Sequence, residues 1–169
     1  MAQETSVWMT FSGLPLSGET LARIDECFQQ HNFKPDDDDI WLFDENKDEW
    51  LMGFAYKDRE RILTQGSGVR LAYSAVENPN VGILPHLRYT PDLLCYKLFM
   101  ITPIEFKPDY TKLQRDWAKR VESLCVCLHR SLGAVETRGR SEYQEEYWFH
   151  FSQNEWKGMG ELILAEEAD

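Results

Sequence analysis

Apolar and polar residues alternate through residues 6–11 (SVWMTF), the two-residue period of a strand, until Gly13-Leu14-Pro15 breaks the run. A helical period follows. Leu21, Ile24, Cys27 and Phe28 recur at three- and four-residue spacing behind Ser17, a suitable N-cap, with Glu19 in the first turn. Residues 32–35 should end this helix. Residues 40–43 and 50–56 read as two antiparallel strands joined around Glu45-Asn46-Lys47-Asp48; alternation puts Trp50, Met52, Phe54 and Tyr56 on one face and Leu51, Gly53 and Ala55 on the other. Residues 57–65 form a short charged segment of a helical turn or two, and Gly66-Ser67-Gly68 leads into a strand over 69–75. Pro79, Gly82, Pro85 and Pro91 are spaced too closely for a long element, so 76–91 is expected to be a loop.

Residues 93–104 (LLCYKLFMITPI) are almost continuously apolar, the pattern of a central strand covered on both faces. The strongest helical signal runs over about 110–132, with Asp109 or Thr111 as cap and Gly133 as stop. Leu113, Trp117, Val121, Leu124, Cys125, Leu128 and Leu132 fall within an arc of roughly 120°, the width of a helix lying on a sheet. Lys112, Arg115, Lys119 and Arg130 collect on the other side. A polar loop is expected over 138–146, a strand over 147–151 and a last strand or short helix over 161–165. This order predicts one α+β domain over residues 1–169. Its mostly antiparallel sheet packs against a long helix (about 110–132) and a shorter one (about 18–31).

Composition narrows the picture. The 43% hydrophobic and 13% aromatic content suffices for a core despite the net charge of −11. No run of about 18 apolar residues occurs, and Met1-Ala2-Gln3-Glu4-Thr5 lacks the basic start and apolar stretch of a secretory signal, so a cytoplasmic protein is expected. Cys27, Cys95, Cys125 and Cys127 lie in apolar periodic segments and read as reduced core thiols. The acidity is regional. Through Trp50 the chain has 12 acids and 3 bases, so −9 of the total −11 is concentrated there. Such a charge disfavours DNA and anionic membranes, which require neutralisation by Lys and Arg, and leaves basic proteins as partners.

Motifs for chemistry are incomplete. Asp44-x-Asn46-x-Asp48 has the opening spacing of a calcium loop, but Glu49 replaces the turn Gly and Ala55 the bidentate Glu. The run Asp36 to Asp39 is self-repelling and reads as an exposed loop. Cys125 and His129 lie one turn apart, yet no second pair completes a zinc set. Ser67 does not sit in a strand-to-helix elbow, and Glu142, Glu145 and Glu146 form no defined acid/base pair. Neither a metal nor a cofactor is expected.

What remains is residues 35–56, where eight carboxylates crowd two aromatic runs. Asp36, Asp38, Asp44, Asp48 and Glu49 are the expected contacts to basic groups on a protein partner, with Trp41 and Trp50 as anchors beside Phe43 and Tyr56. In size, acidity and lack of a catalytic motif the chain is similar in general character to bacterial immunity proteins. That resemblance implies an inhibitor of a cognate toxin effector domain, often a nuclease with a basic active site. The alternative is a small enzyme or small-molecule binder with its pocket near the 76–91 loop. Oligomeric state is not indicated by the sequence.

Overall fold

The computed structural model describes residues 5–11, 13, 17–36, 40–44, 47–54, 68–90, 95–102, 112–141, 149–152 and 155–158. They form an α+β structure in which two helices pack on an antiparallel sheet. The strands are β1 (Thr5–Thr10), β2 (Phe33–Pro35), β3 (Ile40–Asp44), β4 (Glu49–Phe54), β5 (Gly68–Arg70), β6 (Tyr73–Ala75), β7 (Asn78–Thr90), β8 (Cys95–Thr102), β9 (Glu136–Ser141), β10 (Phe149–Ser152) and β11 (Glu155–Gly158). The helices are α1 (Gly18–Gln30) and α2 (Lys112–Leu132).

Ser17 caps α1 as its sequence context predicts, its hydroxyl accepting the Thr20 N–H at 3.2 Å. At the other helix, Gly133 takes φ 67° and the Ala134 N–H donates to His129 O at 2.9 Å, a Schellman stop for which glycine is the unstrained choice. Val121, Leu124, Cys125, Leu128 and Leu132 of α2 are buried with Leu21, Ile24, Cys27 and Phe28 of α1 in one cluster. From the sheet this cluster takes Val7, Met9, Leu42, Val69, Leu87 and Met100. Burying this apolar area is the main stabilising term, at about 25 cal/mol per Å².

The sheet runs in the order β11-β10-β9-β1-β8-β7-β5-β3-β4, with β2 joined to β6 and β6 to β7 as a side branch. The apolar β8 takes the central place its composition predicts, between β1 and β7. The expected loop over 76–91 is instead mostly β7. Its first half pairs with β6 and its second with β5, and β8 lines its far side. The prolines are accommodated locally. Pro85 stands beside the break between β5 and β6, where its carbonyl accepts the Leu71 N–H at 2.9 Å, and Pro79 lies within the register shift between the Ala75/Asn78 and Ser74/Gly82 pairs. Gly82 lies so close to Tyr73 that a Cβ there would meet the Tyr73 carbonyl oxygen at 3.1 Å.

Three other expectations are corrected. The single strand over 69–75 is two strands, because Leu71 and Ala72 carry the chain from one branch of the sheet to the other. Residues 33–35, expected only to end a helix, form β2 against β6. Arg138 to Ser141, expected in a loop, belong to β9, which pairs with both β1 and β10. In β9 the inward positions are Thr137 and Gly139, so a genuine inside/outside alternation carries no hydrophobic signal. The segments expected over 57–65 and 161–165, and Tyr147 itself, lie outside the described residues. Among the described residues no helix is long and apolar enough to cross a membrane.

Candidate partner-binding hairpin

Strands β3 and β4 end the main path of the sheet and form the hairpin anticipated around Lys47-Asp48. Its two faces differ. Leu42 pairs with Leu51, and Leu42 joins the main core; Phe43 pairs with Trp50 on the alternate face. There Trp41 is opposite Arg70 in β5, and Arg70 is opposite His86 in β7. Cross-strand neighbours share a face. The Arg70 guanidinium lies 3.6 Å from the centre of the Trp41 ring, and Trp50 meets Phe43 and His86 edge-on at 5.2 and 5.5 Å. Phe43 and Arg70 are only 5% and 8% exposed, so a second, cation-bearing aromatic cluster fastens the hairpin to the sheet. Burial and the nearby Arg70 charge push the His86 imidazole down to about 4, leaving it neutral at physiological pH.

The carboxylates lie at the tip. Asp44 and Glu49 occupy directly opposed positions, and Asp48 sits in the turn at φ 52°, a left-handed conformation that Asp tolerates better than most residues. Asp48 and Glu49 are exposed and Asp44 half-buried. Trp41 and Trp50 are both half-buried within the aromatic cluster, which makes Trp41 a platform for Arg70 more than a projecting anchor. Asp36 is placed elsewhere. It follows β2, where one carboxylate oxygen accepts the Ser74 hydroxyl at 2.8 Å and its N–H donates to Ala72 O at 2.9 Å. Asp38 and Tyr56 lie outside the described residues.

Sequence periodicity missed one feature. Between Leu42/Leu51 and Ile40/Phe54 the pairing advances two residues on β3 and three on β4, a β-bulge at Met52–Gly53. The bulge shifts the phase of β4. Position 54 therefore lines up with core-facing Ile40 and not with Trp50, which corrects the expected common face of Trp50, Met52 and Phe54. Met52 itself is 67% exposed. Gly53 inside an otherwise large-residue strand was the available signal, since an interior strand glycine often marks a bulge.

The other chemical candidates are otherwise engaged or not described. His129 Nδ1 is 2.7 Å from Thr137 Oγ1, and Cys125 is fully buried with its thiol pushed upward by burial, so neither adopts a ligand role toward the other. No cluster of three or more His, Cys, Asp or Glu with metal-holding geometry occurs among the described residues. Ser67, Glu142, Glu145 and Glu146 lie outside them.

The fold and hairpin thus define an α+β protein with an acidic tip on the terminal hairpin of an antiparallel sheet. No family model and no curated protein matches the chain. Among solved structures it is similar to the Pseudomonas aeruginosa T6SS protein PA0821, with a TM-score of 0.43 and 7% identity over 83% of this chain. The chain spans 42% of that protein's length.

Proposed function

We propose that the protein binds a basic protein partner through the β3–β4 hairpin and acts as an inhibitor, in the manner of a bacterial immunity protein toward its toxin. The observation that supports this reading most is the tip itself: Asp44, Asp48 and Glu49 converge on one turn, and Met52, three residues along β4 from Glu49, is strongly exposed. Asp44 and Glu49 stand directly opposed, and Asp48 takes a left-handed backbone conformation in the turn between them. The carboxylates steer a cationic surface into register, and Met52 supplies an adaptable apolar contact. Trp50 and Phe43 keep the hairpin rigid, which lowers the entropy lost on binding. Most of 76–91, where the alternative reading puts a pocket, is strand β7.

The test is capture from the native source at low salt with the wild type and with an Asp44→Asn, Asp48→Asn, Glu49→Gln variant. Association rates of the identified protein are then measured against ionic strength. The expected result is a basic protein held by the wild type, with an on-rate about tenfold or more lower for the variant at low salt. Equal on-rates without salt dependence would sink the proposal.

A further inference from the structure

The seam between α1 and α2 holds two cysteines that nothing in the hairpin uses. Contacts along it fix the relative direction of the helices. Arg23 Nη1 donates to Ser131 O at 3.3 Å and Cys27 Sγ to Ser131 Oγ at 3.4 Å, while Cys127 Sγ lies 3.6 Å from Gln30 Oε1. Farther along, Arg120 Nε donates to His31 O at 2.6 Å. Numbers rise along α1 as they fall along α2, so the helices are antiparallel. Cys127 and Ser131 are one turn apart and therefore share a face of α2. Cys27 Sγ lies against Ser131, one turn from Cys127, and Cys127 Sγ lies against Gln30, one turn from Cys27, so the two thiols are neighbours across the seam. Cys27, Cys125 and Cys127 are free thiols, Cys27 and Cys125 buried and Cys127 partly exposed.

We propose that Cys27 and Cys127 form a dithiol modification site that a two-electron oxidant such as hydrogen peroxide converts to a disulfide tying α1 to α2. The accessible Cys127 reacts first. Its thiolate attacks a peroxide oxygen, the O–O bond breaks, and Cys127 becomes a sulfenic acid while hydroxide leaves and takes up the thiol's proton as water. Cys27 sulfur then attacks the Cys127 sulfur; its own proton joins the departing hydroxyl, and a second water leaves. The net change is two thiols and one peroxide to one disulfide and two waters. Burial, with the neighbouring Cys127 thiol adding to it, holds Cys27 up to about 12, so it stays a thiol until its partner has been oxidised. Side-chain rotation must bring the sulfurs to about 2.05 Å, the length of the bond formed. The link encloses about 100 residues and so constrains the unfolded chain strongly. Because α1 runs through Asn32 into β2 and the acidic stretch, oxidation clamps the helix from which that stretch departs.

The experiment treats the full chain with hydrogen peroxide at a few equivalents. Intact mass, thiol count and disulfide-linked peptides are read without reduction. The proposal expects a monomer lighter by two hydrogens, two fewer alkylatable thiols, a Cys27–Cys127 peptide and a Tm raised by about 5 °C or more. Dithiothreitol reverses all four changes. Cys127→Ser should abolish the mass loss, whereas Cys125→Ser should leave it intact. A disulfide-linked dimer through Cys127, stable oxygen adducts on Cys127 alone, or a linked peptide involving Cys95 would each overturn it. Should a serine variant fold poorly, the linked-peptide map of the wild type decides the matter by itself.

Discussion

Arg120 illustrates how much one side chain holds. It bonds to the carbonyls of His31 and Asn32 at the end of α1, forms an ion pair with Glu77, and lies 4.3 and 4.7 Å from the ring centres of Phe33 and Trp117. The guanidinium holds the Glu77 carboxyl below the usual range. A cation at a helix C-terminus also complements the dipole. Arg120→Ala should therefore lower unfolding stability by about 2–4 kcal/mol in urea titrations, with Arg120→Lys retaining part of it. The helical period of α2 shows Arg120 at the edge of the apolar arc, three residues after Trp117 and four before Leu124, but not what it binds, because the carbonyls it serves lie 88 and 89 residues away. The buried Asp25, which receives the Tyr73 hydroxyl under the Phe28 ring, was illegible for the same reason. His86 supplies a pH signature. Its folded pKa lies below the ordinary 6.5, so its contribution is complete above that pH and declines as pH falls toward about 4. The total is at most about 3.5 kcal/mol, by the factor of about 1.4 kcal/mol per pH unit. His129 is shifted in the same direction and adds to the trend. Urea midpoints between pH 7 and 4 should show this loss, and His86→Gln should flatten part of it.

Among the elements, those with strong apolar periods were legible and those defined by pairing were not. The α2 stripe and the run that became β8 announced themselves. β7 was hidden by its prolines and β9 by its charged residues, because their positions depend on distant partners. Within the hairpin, strand existence and turn position were readable, whereas the bulge displaced Met52 from its expected company. The opposed Asp44 and Glu49 make a direct test of function against stability. Glu49→Lys replaces a like-charged cross-strand pair with an attractive one and should raise stability by about 0.2–1 kcal/mol while weakening partner capture. Thermal unfolding and a binding assay on the same preparation check both halves. A variant that loses stability and binds unchanged would contradict the assignment.

For the whole molecule, the sequence supported the right class, an antiparallel sheet with two helices, but not the order of its strands. The −9 carried by the first 50 residues also needs apportioning. Asp25 is buried, Glu19 pairs with Arg23 at 2.6 Å, and Asp36 accepts from Ser74, so three of the twelve acids have partners within the fold. At the hairpin tip Asp48 and Glu49 are exposed and Asp44 is half-buried. We further propose that residues 1–169 fold as one cooperative domain, checked by coincident fluorescence and circular dichroism transitions. The most direct measurement of the central claim is the association rate between the captured basic partner and the hairpin, followed from low to moderate salt. A steep fall with salt for the wild type, flattened by Asp44→Asn, Asp48→Asn, Glu49→Gln, is the predicted result. The same rate and the same salt slope in both proteins would contradict it.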